Sequence, residues 1–148
     1  MNLKDRINQD LKDAMKSGDK IRLSVVRSIR ALILEFEKSG AAKELTPDDE
    51  LKMLTTAAKK RKDSIEQFRN AGRTELADTE EAELKILMDY LPKQMDETEI
   101  KTEIIRLANE IGAKNKADFP KLMPLVMKEL KGKADGKIVK SLVETYLE

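Results

Sequence analysis

The run from Arg61 to Pro92, RKDSIEQFRNAGRTELADTEEAELKILMDYLP, constrains the fold of this chain more than any other stretch. Apolar residues recur at helical spacing on both sides of Asn70-Ala71-Gly72: Ile65 and Phe68 before it, and Leu76, Leu84, Leu87, Met88 and Leu91 after it. Two helices with a glycine stop between them read as a hairpin, and Thr74 is the expected cap of the second arm. Proline cannot continue a helix and biases the residue before it toward extended geometry, so Pro92 ends the hairpin.

One side chain in the first arm is out of place. Its stripe runs Leu51, Leu54, Ala58, Arg61, Ile65, Phe68, and the arginine sits among apolar neighbours. In an antiparallel hairpin turning near Gly72, Arg61 lies as far before the turn as Glu83 lies after it. An ion pair of Arg61 with Glu83 or Glu80 is therefore expected. Such a pair sets register more than net stability, because desolvation offsets much of the attraction.

The segments before the hairpin follow the same period. Leu3, Ile7, Leu11, Ala14 and Met15 form one stripe that ends at Gly18. Asp19 caps a second helix with Val25, Val26, Ile29, Leu32, Ile33 and Phe36 inward and Arg27 outward, ending at Ser39-Gly40. A polar surface loop is expected up to Leu45. Thr46-Pro47-Asp48-Asp49 then opens the long helix to about Asn70, with a capping hydroxyl, proline at the first helical position and acids at the positive end of the dipole.

Past the break at Lys93 to Met95, Asp96 with Glu99 forms an acidic capping box for a helix carrying Ile100, Ile104, Leu107, Ala108 and Ile111 up to Gly112. Asn115 with Asp118 opens the next, which carries Phe119, Leu122, Met123, Val126, Met127 and Leu130. Pro120 suits its first turn, whereas Pro124 implies a kink or a late start. A last helix buries Val139, Leu142, Val143 and Tyr146. The chain reads as all-α, with about seven helices in two parts: residues 1–92, a helical domain with the long hairpin, and residues 96–148, a small three-helix domain.

Composition removes whole classes of chemistry. The chain has no cysteine and no histidine, so a thiol nucleophile, a cysteine-ligated metal and the commonest general base are all missing. No catalytic residue, metal site or cofactor is expected. Glu80 and Glu83 share a helix face, but two carboxylates without further ligands are thin support for a metal. With no leader-like or membrane-spanning apolar run, a cytoplasmic location without membrane contact is expected.

Formal net charge is only +1, so any affinity for polyanions must come from clustering. Between Gly112 and Ser141 eight lysines face three acids, a local excess of five positive charges. At its centre lies KGKADG, Lys131 to Gly136, flanked by Lys128, Lys137 and Lys140. Two readings fit. Lysines around a glycine loop at a helix start can hold phosphates. Equally, Gly132 can end one helix, Asp135 can cap the next, and the lysines can be a solvated face. A second basic cluster, Lys59 to Lys62, surrounds its helix and reads as solvated surface. Only 3% of residues are aromatic, so base stacking is poorly supplied and any RNA would be recognised by backbone and shape.

The run RKDSIEQFRNAGRTELADTEEAELKILMDYLPKQM, the loop KGKADG with its flanking helices, and LSVVRSIRALI in the second helix resemble the GatB/YqeY family in its stand-alone form. The resemblance covers nearly the whole chain. It implies an all-helical protein in two units, similar to the tail of the GatB subunit of the tRNA-dependent amidotransferase, and a family label of carbon-nitrogen ligase with glutamine as amido donor. The chemistry of that enzyme resides in other domains and subunits, which this chain does not match. What carries over is a tRNA-facing loop at Lys131, Gly132, Lys133, Asp135 and Gly136. Phe119-Pro120 stands where the family often has methionine-glycine, and Lys140 where asparagine is common. The expectation is a non-catalytic protein that binds tRNA or accompanies an aminoacyl-tRNA enzyme; the alternative is a helical protein-protein adaptor using the hairpin faces or a groove at Met123 and Met127.

Overall fold

The computed structural model describes residues 1–39 and 44–148, and every regular element among them is helical. In order these are α1 Leu3–Ser17, α2 Lys20–Lys38, α3 Pro47–Asn70, α4 Thr74–Met88, α5 Glu97–Ile111, a 3-10 turn Lys116–Asp118, α6 Phe119–Glu129 and α7 Gly136–Tyr146. The chain is all-α. It divides into two compact units, Met1–Leu91 and Pro92–Glu148. The expected surface loop before Leu45 lies, at residues 40–43, outside the described residues.

In the first unit the caps are local and work as their chemistry requires. The Asn2 side chain accepts from the Asp5 amide, Asp19 from the Arg22 amide, and Thr46 with Asp49 forms a reciprocal capping box. Glu50, in the first turn of α3, accepts from the Leu3 amide at 2.9 Å and so satisfies a further donor at the start of α1. Gly18 ends α1 at φ 72°, a conformation that costs glycine little.

Ile7, Val25, Val26, Ile29, Ile33 and Leu87 are fully buried, each contributing about 1.5–3 kcal/mol relative to exposure. Met15 and Leu76 depart from their expected stripes and are exposed. Met15 lies about 100° round the helix from buried Ala14, beyond the edge of the apolar face. On α4 the buried position near the turn is Ala77, one residue beyond Leu76.

Thr74 is not the cap of α4. That position falls to Arg73, without a side-chain bond, because the turn is closed by backbone alone: Ala71 N–H to Gln67 O, Gly72 N–H to Arg69 O and Arg73 N–H to Phe68 O, with Gly72 at φ 72°. At the far end of α4, Tyr90 is buried, donates its hydroxyl to Asp10 and lies under the Arg6 guanidinium, 4.2 Å from the ring centroid. Burial and the Asp10 carboxylate push its phenol well above the ordinary range.

The second unit is a three-helix core of Ile100, Ile104, Leu107, Leu122, Val126, Val139, Val143 and Leu147. Asp96 and Glu99 form the capping box of α5, and Gly112 ends it at φ 71°. Asn115 opens the 3-10 turn rather than α6 itself. The Asp118 carboxylate accepts from the Lys114 and Asn115 amides, which holds its pKa below the usual value. Helix α6 starts at Phe119, so Pro124 lies inside it and the start is not delayed to that proline. Pro120 falls in its first turn and Pro124 inside it, both on the exposed side, where water can serve the carbonyl that Pro124 leaves unbonded. Ile111, Met127 and Tyr146, expected on inner stripes, are exposed, and the last inward position of α7 is Leu147.

Candidate nucleic-acid interface

Helix α6 closes with the Leu130 amide on Val126 O, and the chain then turns through Lys131 and Gly132 to the Lys133 amide on Leu130 O. Gly132 has φ 75°, in the left-handed region that disfavours a side chain. It is also buried. Its carbonyl accepts from Gln94 Nε2 at 2.8 Å, and the neighbouring Lys133 carbonyl accepts from the Met95 amide at 2.8 Å. Gln94 Nε2 also donates to Pro92 O at 2.8 Å, so the extended stretch after Pro92 clamps the loop from behind. Met95 packs against the core of the same unit.

Gln94 and Met95 carry no signal of this clamp in the sequence, since a non-helical segment has no period and neither a lone amide side chain nor a backbone amide reveals its partner. The clamp changes the part each loop residue can take. Gly132 holds the shape of the turn rather than touching a ligand. Asp135 caps α7 by accepting from the Lys137 amide at 2.8 Å, so one amide at that helix start is already taken. Gly136 is the first residue of α7; a Cβ there would sit 3.4 Å from Met127 Cε, an ordinary contact. The exposed side chain of the loop is Lys133, and the exposed lysines beside it stand on α6 and α7.

Lys128, Lys133, Lys137 and Lys140 are exposed, and Lys131 is half-buried. Asp118 accepts from two backbone amides, Glu129 meets Arg106 Nη2 at 3.2 Å, and Asp135 accepts from the Lys137 amide. Lys128, Lys133 and Lys140 have no carboxylate partner among the described residues. The arrangement is a positive surface on a fixed backbone turn, suited to phosphate contact through charge.

In the hairpin, Arg61 Nη1 meets Glu80 at 3.3 Å and also Glu83, while Nη2 donates to Ser28 Oγ at 3.2 Å. The Arg61 and Glu83 side chains are only 15% and 14% exposed, so this is a largely desolvated cluster. Arg69 meets Asp78 and Glu81 across the turn, in solvent. Of the basic run beside them, Lys59 and Lys60 are exposed and Lys62 half-buried. Met123 is partly buried on the core while Met127 is exposed, which splits the expected methionine groove. Among the described residues no group of three or more potential ligands gathers for a metal, and no helix is long and apolar enough to cross a membrane.

Comparison with known proteins gives a consistent picture. A protein named altered inheritance of mitochondria protein 41, mitochondrial, from Pyrenophora tritici-repentis is 36% identical over 132 residues, covering 87% of this chain and 71% of that one. An uncharacterized protein of Schizosaccharomyces pombe is 38% identical over 94 residues, covering 62% and 74%. The Lachancea thermotolerans protein that bears the first name is 30% identical over 111 residues, covering 74% and 59%. The profile of the Yqey-like proteins matches residues 4–147, nearly the entire length, and the chain belongs to that family.

Proposed function

We propose that this protein binds tRNA, or rides with an enzyme that handles aminoacyl-tRNA, through the lysine surface around residues 131–136, and that it has no catalytic step of its own. The observation that supports this most is the clamp of Gln94 and Met95 on the Gly132 and Lys133 carbonyls. Gly132 is buried, so its carbonyl needs a partner in any case; the same bonds hold the loop in one shape, which suits phosphate contacts that set the register of a folded RNA. In this reading residues 96–148 act as the tail-like module and residues 1–92 as the scaffold. The compartment in this reading is the cytoplasm; the mitochondrial names of the fungal relatives describe those chains.

The amidotransferase label of the wider family extends to this chain, in our reading, as an association and not as an activity. Phosphoryl transfer, ammonia delivery and glutamine hydrolysis each need groups that the candidate surface does not offer.

Titration of purified protein with unfractionated tRNA across a salt series tests the proposal. Affinity should fall as salt rises, with a log-log slope of roughly −0.9 per phosphate contacted. Replacing Lys131 and Lys133 by alanine together should lower that slope by about 2, close to 1 for each lysine. No binding at low salt, or binding indifferent to both lysines, overturns it.

A further inference from the structure

Between α2 and α3 lies an open groove with a cavity volume of about 550 Å³, in the first unit and separate from the lysine loop. Ser28, Leu32 and Phe36 form one wall, a line at every fourth residue of α2. Met53 and Ala57 of α3 form the floor, and Lys52, Thr56 and Lys60, again at every fourth residue, form the other rim. Leu32, Phe36, Met53 and Ala57 are all half-buried, so the apolar surface is left open rather than closed into the core.

The charges around the groove are not balanced. Asp49 is tied into the capping box with Thr46, and Arg61 is held by Glu80, Glu83 and Ser28. Helix α2 supplies no charged side chain to the lining. Lys52 and Lys60 are exposed and have no ion-pair partner among the described residues. At 1.5 Å per residue they stand about 12 Å apart along the helix axis, one at each end of the apolar floor. A phosphate backbone would meet the two cations but leave the floor bare. Apolar side chains held between two carboxylates meet both.

We propose that this groove docks an amphipathic helix of a partner protein, with two adjacent apolar residues on Leu32, Phe36, Met53 and Ala57 and an acidic residue about one turn away on either side reaching Lys52 and Lys60. Such a helix places its acids seven or eight residues apart and its apolar anchors between them, on one face. The groove so occupied adds a protein-binding surface that the tRNA reading does not require.

The probe is a panel of short lactam-stapled helices carrying leucine at positions i+3 and i+4 and glutamate at i and i+7, with a matched set carrying lysine for glutamate. Binding to the full chain is followed by fluorescence anisotropy at low salt. The glutamate set should bind and the lysine set should not. The double variant Lys52→Glu, Lys60→Glu should weaken the glutamate set about tenfold and admit the lysine set, since rim charges govern which partner is accepted. Ala57→Phe, which fills the floor and leaves both lysines, should abolish binding by either set. The proposal fails if no glutamate peptide binds tighter than about 1 mM, if both sets bind alike, if Ala57→Phe has no effect, or if the chain self-associates through the groove so that a second copy is the occupant. Circular dichroism of each variant confirms folding, and tRNA binding unchanged in Ala57→Phe separates this surface from the one at residues 131–136.

Discussion

In the α3/α4 hairpin Arg61 and Arg69 each meet two carboxylates from the opposite arm, whereas near residues 131–136 Asp118 and Asp135 accept from backbone amides and Glu129 meets Arg106, and Lys128, Lys133 and Lys140 have no carboxylate partner among the described residues. Both regions are dense in charge, and in the linear sequence they look alike. The difference lies in what the backbone does with the acids. Antiparallel arms bring opposite charges together at fixed offsets from the turn, so charge there is consumed in setting register. A helix-loop-helix corner uses acids to cap helix ends, so fewer of them are set opposite its cations. Charge density alone therefore does not mark a binding surface; the fate of the counter-charge does.

Removing the arginine from the hairpin breaks that contrast most directly. Arg61→Ala leaves Glu80 and Glu83 close together and partly buried without a cation, and should cost about 3 kcal/mol in urea denaturation of the full chain. Removing Glu83 as well should recover part of that loss. A cost below about 0.5 kcal/mol would mean that Arg61 belongs with the solvated charges. The next effect in size is in the other region. Gly132→Ala forces a side chain into a left-handed conformation and should cost about 1 kcal/mol, seen as a lower melting temperature, while Gly136→Ala, whose Cβ has room, should cost much less. Smallest is Arg69→Ala. Its partners Asp78 and Glu81 are in solvent, so the change should be roughly 0.5 kcal/mol or less and should shrink further in salt. Equal effects of Arg61→Ala and Arg69→Ala would remove the distinction between desolvated and solvated pairs in this hairpin.

Much of the fold is legible in the sequence. Thr46-Pro47-Asp48-Asp49, Asp19, Asp96 with Glu99, and the glycines at 18, 72 and 112 act over three or four residues, so their chemistry is complete within the local sequence. The offset of Arg61 and Glu83 from Gly72 is likewise arithmetic along one chain. The readings that went astray concern how far an apolar face extends. Leu76, Ile111, Met127 and Tyr146 all sit at helical spacing from buried residues yet are exposed, because burial depends on whether another helix lies over that arc, and periodicity does not say so.

The sequence by itself determined that the chain is helical, where most of its helices start and stop, and where its positive charge is concentrated, since each of these is decided by near neighbours. Only the tertiary structure decided what those charges are available for. It brought Gln94 and Met95 to the Gly132 and Lys133 carbonyls, nearly forty residues on in the chain, and Tyr90 to Asp10. It also left Lys52 and Lys60 beside an apolar groove to which a helix 16 or more residues away contributes a wall. The physical reason is the same in each case: hydrogen bonds and open surface between segments distant in sequence depend on how helices pack, and packing is a sum over the whole unit that no local pattern contains.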